Sequence, residues 1–146
     1  MAVAALRCGT VIDHIPADAL FKAVKILGIA KMTTNVTIGN NLSSKRLGTK
    51  GIIKVADVEF TDDVLNRIAL IAPSAKINII RDYKVVKKTP IALPEEIVGI
   101  VRCGNPKCIT NNEPMRTRFS VVDRDDVTIR CHYCGQTVKS GEAIID

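Results

Sequence analysis

Residues 9–16 read Gly9-Thr-Val-Ile-Asp-His-Ile-Pro16. The alternation that runs through Leu6, Thr10, Ile12 and up to Ile15 is that of a half-buried strand. Pro16 suits the first position of a helix, where a missing N–H costs nothing. Ala17, Leu20, Phe21, Val24 and Leu27 then recur at helical spacing, and Gly28 closes that helix. A strand followed at once by an amphipathic helix opens an α/β arrangement, and the pattern that follows decides which one.

After Gly28 come two strand signals, Asn35 to Leu42 with Val36 and Ile38 on one face, and Gly51 to Phe60 with Lys54 on the face away from Ile53 and Val55. A polar turn from Ser43 to Gly48, containing Lys45 and Arg46, separates them. Thr61 is a good N-cap, and Asp62 and Asp63 place negative charge on the positive end of a second helix. Val64, Leu65, Ile68, Leu70 and Ile71 face inward, and Pro73 ends it. Two short strands then flank Arg81–Asp82. The order β-α-β-β-α-β plus one strand predicts an α+β, ferredoxin-like domain, an antiparallel sheet with two helices on one face.

Thr89 to Ile97 (TPIALPEEI) carries two prolines and two adjacent acids and reads as a linker. The expected domains are 1–96 and 97–146. Beyond the linker the helical periodicity stops, and four of the five cysteines appear. Cys103, Cys108, Cys131 and Cys134 form C-x4-C … x22 … C-x2-C, the ligand set of a small all-β zinc domain. Two disulfides would be the alternative in an oxidising compartment. Four thiolates close the coordination sphere of one zinc ion per chain, so the metal is expected to be structural and not catalytic. Gly104 and Gly135 ease the two turns that aim the sulfurs. His132 reads as a surface residue and Cys8 as a small buried one.

The formal charge is +6. Residues 1–100 carry 14 Lys and Arg against 9 Asp and Glu, and residues 101–146 carry 7 against 6, so the excess lies in the first domain. A basic excess suggests an anionic partner. A zinc-ribbon nucleic-acid binder is one reading, but the zinc half is nearly neutral and stacking aromatics are scarce, with no Trp, two Tyr and three Phe. An enzyme is another, but a glycine-rich phosphate loop, an open metal position and a triad are all missing from the pattern. Asp13 and His14 invite an acid–base reading, yet neighbours on a strand face opposite sides and are not expected to meet. No run of about 18 apolar residues predicts a membrane span, and MAVAALRCG is not a secretory signal. The expected location is cytoplasmic.

Taken together, GTVIDHIP, TIGNNL (37–42), GIIK (51–54), LIAP (70–73), LPEEI (93–97) and four cysteines with EP-x-x-TRF (113–119) between them resemble the regulatory chains of aspartate carbamoyltransferases. The resemblance runs in order over residues 6–146. It implies a non-catalytic subunit of pyrimidine biosynthesis, with an allosteric domain that binds CTP- and ATP-type effectors and a zinc domain that docks on a separate catalytic chain. It also implies a homodimer of regulatory chains within an assembly of six catalytic and six regulatory chains, with neither nucleic acid nor membrane as partner. The positions matching the nucleotide contacts are Leu6, Val11, Asp13, His14, Lys54, Asn78, Tyr83 and Lys88, the last reaching the triphosphate. Asn105 and Lys107, between the first two cysteines, match the surface that meets the catalytic chain, and 111–118 adds to it. Taken singly, Leu6 and Val11 would be edge or core residues, Lys54 and Lys88 solvated strand charges, and Tyr83 a core residue. Cys8 stands where such chains often carry a basic residue.

Overall fold

A computed structural model describes residues 6–44 and 48–145. Lys45 and Arg46 of the expected polar turn lie outside the described residues. The chain divides into two compact units, 1–92 and 93–146.

In the first unit, β1 (Gly9–Pro16), β2 (Val36–Ser44), β3 (Gly48–Ala56), β4 (Lys76–Arg81) and β5 (Lys84–Thr89) form one sheet in the order β2-β3-β1-β4-β5. All four pairings are antiparallel. Two helices, α1 (Leu20–Leu27) and α2 (Asp62–Ile68), pack against each other. The first four strands have the ferredoxin-like order, with β5 added beside β4 as a hairpin. One register row, Ile53, Ile12 and Ile77, is almost wholly buried. It forms the core with Leu20, Ala23 and Leu27 of α1 and Leu65 and Ile68 of α2. Burial of each large aliphatic side chain contributes roughly 1.5–3 kcal/mol.

Several local expectations shift. Pro16 ends β1 instead of starting the helix. The Ala19 N–H donates to the Pro16 carbonyl at 2.9 Å and closes a turn, so α1 begins at Leu20. Phe21 is 68% exposed, because the buried stripe runs through Leu20, Ala23 and Leu27. β3 starts at Gly48 and stops at Ala56, where Asp57 takes φ +59° and leaves the sheet. Thr61 does cap α2, its hydroxyl accepting the Val64 N–H at 3.4 Å. That helix ends at Ile68, ahead of Pro73, and Leu70 and Ile71 are buried in the following turn.

The second unit contains β6 (Glu96–Val98), β7 (Val101–Arg102), β8 (Arg118–Asp123), β9 (Thr128–Cys131), β10 (Thr137–Lys139) and β11 (Ile144–Ile145). A four-stranded sheet runs β10-β9-β8-β6, and β11 pairs with β7. The end of the expected linker is therefore a strand, with Glu96 opposite Ser120 and Ile97 opposite Phe119. Ile97, only 2% exposed, is recruited by Phe119, Ile129, Val101 and Ile145 into a small core.

Candidate functional site

Successive residues of a strand point to opposite faces, and residues paired across strands share one. The row next to the buried isoleucines runs Thr37, Lys54, Val11, Asn78 and Lys88, one residue from each of the five strands. It lies on the face away from the helices. Leu6, Val11, Lys54, Asn78 and Tyr83 line one recess of about 270 Å³ there, with Ile52, Ile80 and Val85. Lys88 lines an adjoining recess that shares Asn78 and Val85. The β4–β5 hairpin positions Tyr83. Asp82 and Tyr83 both have positive φ, +51° and +65°, as a two-residue type I′ turn requires. The Tyr83 N–H donates to the Arg7 carbonyl at 3.0 Å. Its side chain is 67% exposed, a recess wall and not a core residue.

Asp13 and His14 meet, contrary to the strict alternation expected of them. The β1–β3 register shifts between Ile12 and Ile15, a bulge, and His14 adopts φ +61°. The left-handed residue turns the imidazole back, so Nδ1 lies 3.6 Å from the Asp13 carboxylate. The Asp13 Oδ1 also accepts the His14 backbone N–H at 2.7 Å. His14 Nδ1 is buried without a hydrogen-bond partner. The principal partner of Asp13 is Lys50, whose Nζ lies 2.8 Å from Oδ1 and 3.1 Å from Oδ2. Lys50 was not anticipated, although it sits four residues before Lys54 on the same strand face; the expected strand began one residue too late to include it.

In the second unit the turn Cys103–Cys108 follows β7, and the turn Cys131–Cys134 leaves β9. All four sulfurs lie within 4.8 Å of one another. Cys103 and Cys134 are 3.6 Å apart and Cys108 and Cys131 3.7 Å. A tetrahedron with metal–sulfur bonds of about 2.3 Å has edges of about 3.8 Å. A disulfide needs about 2.05 Å, and all the cysteines are free thiols. The donor set therefore fits a single zinc ion held by four thiolates, with no position left for water or substrate. Burial pushes the Cys103 thiol up to about 12 and raises Cys131. The Gln136 backbone N–H beside Cys134 holds that thiol down to about 7. A bound dication compensates buried thiolates that would otherwise stay protonated.

The first turn is held by amides. Asn111 Nδ2 donates to the carbonyls of Cys103 and Asn105, both at 2.8 Å. Asn112 Nδ2 donates to those of Cys108 at 2.9 Å and Pro106 at 3.2 Å. Thr110 Oγ1 lies 3.1 Å from the Cys108 sulfur. Asn105 is half-buried, its Oδ1 accepting the Lys107 N–H at 3.0 Å, while Lys107 is exposed. In the second turn Gly135 has φ +76°; Gly104 needs no such freedom. His132 is exposed and packs edge-to-face on Tyr133, with ring centres 5.0 Å apart, leaving the sulfurs to bind the metal. Cys8, half-buried, lies one residue ahead of β1.

Two family descriptions match in succession: "Aspartate carbamoyltransferase regulatory chain, allosteric domain" over residues 1–92, and "Aspartate carbamoyltransferase regulatory chain, metal binding domain" over 95–144. The chain belongs to the aspartate carbamoyltransferase regulatory-chain family. Its similarity to the regulatory chain of Bacteroides fragilis is 57% identity over 143 residues, 98% of this chain and 94% of that one. The Porphyromonas gingivalis regulatory chain is 58% identical over 134 residues, covering 92% and 89%. That of Pyrococcus abyssi is 47% identical over 144 residues, covering 97% and 95%. Members of the family are regulatory and not catalytic chains. The metal-binding domain of the family is the unit in which the four sulfurs converge. No helix among the described residues is long and apolar enough to cross a membrane.

Proposed function

We propose that this chain is the allosteric subunit of an aspartate carbamoyltransferase in the cytoplasm, acting in pyrimidine biosynthesis. Its first unit binds nucleoside triphosphates of the CTP and ATP type, and its second docks on the catalytic chain. The observation that carries the reading is the register row Lys54–Val11–Asn78–Lys88 beside the recess on the helix-free face. Leu6, Val11, Ile52, Ile80 and Val85 offer apolar surface to a base, with Tyr83 at the mouth. Lys54 and Lys88 meet phosphate charge, and Asp13 accepts ribose hydroxyls. His14 stands beside Asp13 as a further contact. Lys50 offsets the Asp13 charge, so the carboxylate does not repel an anionic ligand.

Calorimetric titration of the full chain with CTP tests this. Lys88→Ala should weaken binding about tenfold or more, the effect of losing one charge-assisted contact. Unchanged affinity would remove Lys88 from the site.

Docking on the catalytic chain is assigned to the first cysteine turn with Asn105 and Lys107, and to the adjoining residues 111–118. Zinc shapes that surface, so chelation should release the catalytic chain in size-exclusion chromatography. Retention of the complex after metal loss would place docking elsewhere. Family membership supports a homodimer of regulatory chains within an assembly of six catalytic and six regulatory chains, and sedimentation of the reconstituted complex checks the stoichiometry.

A further inference from the structure

The two recesses on the helix-free face differ in chemistry. The one beside Val11 and Tyr83 is walled mainly by apolar side chains, with Lys54 its one basic residue. The adjoining one holds Lys76 and Lys88 together with Ser74 and Thr89, and no carboxylate lines it. Asn78 and Val85 belong to both, so the two are halves of a continuous surface running along β4. Lys76 precedes Asn78 by two residues and therefore shares its face. It is exposed, and it is the register partner of Asp13 across β1 and β4. The Asp13 charge is already met by Lys50 at 2.8 Å.

We infer that Lys76 is a specificity-determining residue. With Lys88 it forms the polyphosphate end of the effector site, and it sets how strongly the chain prefers a triphosphate to a monophosphate. The inference rests on the effector reading above and extends it. A base in the apolar recess, with its ribose at Asp13, directs the phosphate chain toward the Lys76–Lys88 recess. A monophosphate brings one phosphate group to this recess, whereas a triphosphate brings three against the two lysines that line it. Because Lys76 is exposed and outside the core, its replacement should leave the fold intact, which a thermal melt of each variant verifies.

The test is calorimetry of CTP and CMP on the full chain as wild type, Lys76→Ala and Lys76→Arg. Lys76→Ala should lose about tenfold in CTP affinity, with CMP changed by about twofold or less, because the monophosphate brings less charge to the recess that Lys76 lines. Lys76→Arg should restore most of the preference. Equal losses for CTP and CMP, or an unaltered CTP affinity, would overturn the role of Lys76 and leave the effector site standing. A wild-type chain that binds neither nucleotide would overturn both.

Discussion

At Asp13 and His14 a single left-handed residue decides what the site contains. An uninterrupted strand would send the two side chains to opposite faces; the bulge brings them together and leaves Asp13 open to Lys50. The ion pair is partly shielded, with 16% and 23% of the two side chains exposed, so its removal should be felt in ligand binding. Lys50→Ala should weaken CTP binding by leaving a carboxylate to face the phosphates. Adding Asp13→Asn should recover part of that loss, which a double-mutant cycle of calorimetric affinities measures. Purely additive effects would separate the pair from the ligand. Gly9 makes a different demand. Its φ is +141°, and a Cβ there would stand 2.0 Å from the Val55 carbonyl oxygen. Gly9→Ala should therefore destabilise the first unit by at least about 2 kcal/mol, read as a lower midpoint in denaturant. Lys54 was visible in the sequence because it interrupts an apolar strand. Lys50 was not, since its role depends on a partner 37 positions away, brought near by β1–β3 pairing.

Elements were legible in order and type, less so at their ends. Periodicity located both helices and the five strands of the first unit. It misplaced the start of α1, because a proline fits an extended residue as well as a helical first turn, and the Pro16–Ala19 turn is a backbone event. It took Glu96–Ile97 for linker because a three-residue strand is too short to show alternation and is defined only by its partner, β8. The metal turns were readable from cysteine spacing, but the asparagines that hold the first turn carried no signal, since an amide bonding to distant carbonyls has no fixed spacing. Asn111 donates to two of those carbonyls at once. Asn111→Ala should lower zinc affinity by about 10–100-fold, the usual cost of losing a group that orients a metal ligand. Competition with a chromophoric chelator measures it, and an unchanged affinity would show that the sulfurs organise themselves.

For the whole molecule, the two units rest on different sources of stability. The first buries isoleucine-rich strands under two helices. The second has few large buried side chains and depends on its metal, whose binding contributes roughly 10–16 kcal/mol in comparable four-ligand modules. Chelation should thus abolish the melting transition of residues 93–146 and leave that of residues 1–92 near its original temperature, as followed by calorimetry. Loss of both transitions together would show that the units fold as one. Charge acts at the same scale. The +5 balance of residues 1–100 should make CTP affinity fall as salt rises.

The five-residue row from Thr37 to Lys88 carries a consequence for how such a chain can change over time. Every position in it faces away from the helices, whereas the adjacent row of isoleucines packs under them. Under the proposed effector site, the sheet divides its work, with most of the packing on one side and the ligand row on the other. Substitutions can accumulate on the recognition side with little penalty in foldability. A ligand site built on that side, as proposed here for nucleotides, would be free to change its specificity on an unchanged scaffold, while the helix-covered side stays under a separate and stricter constraint.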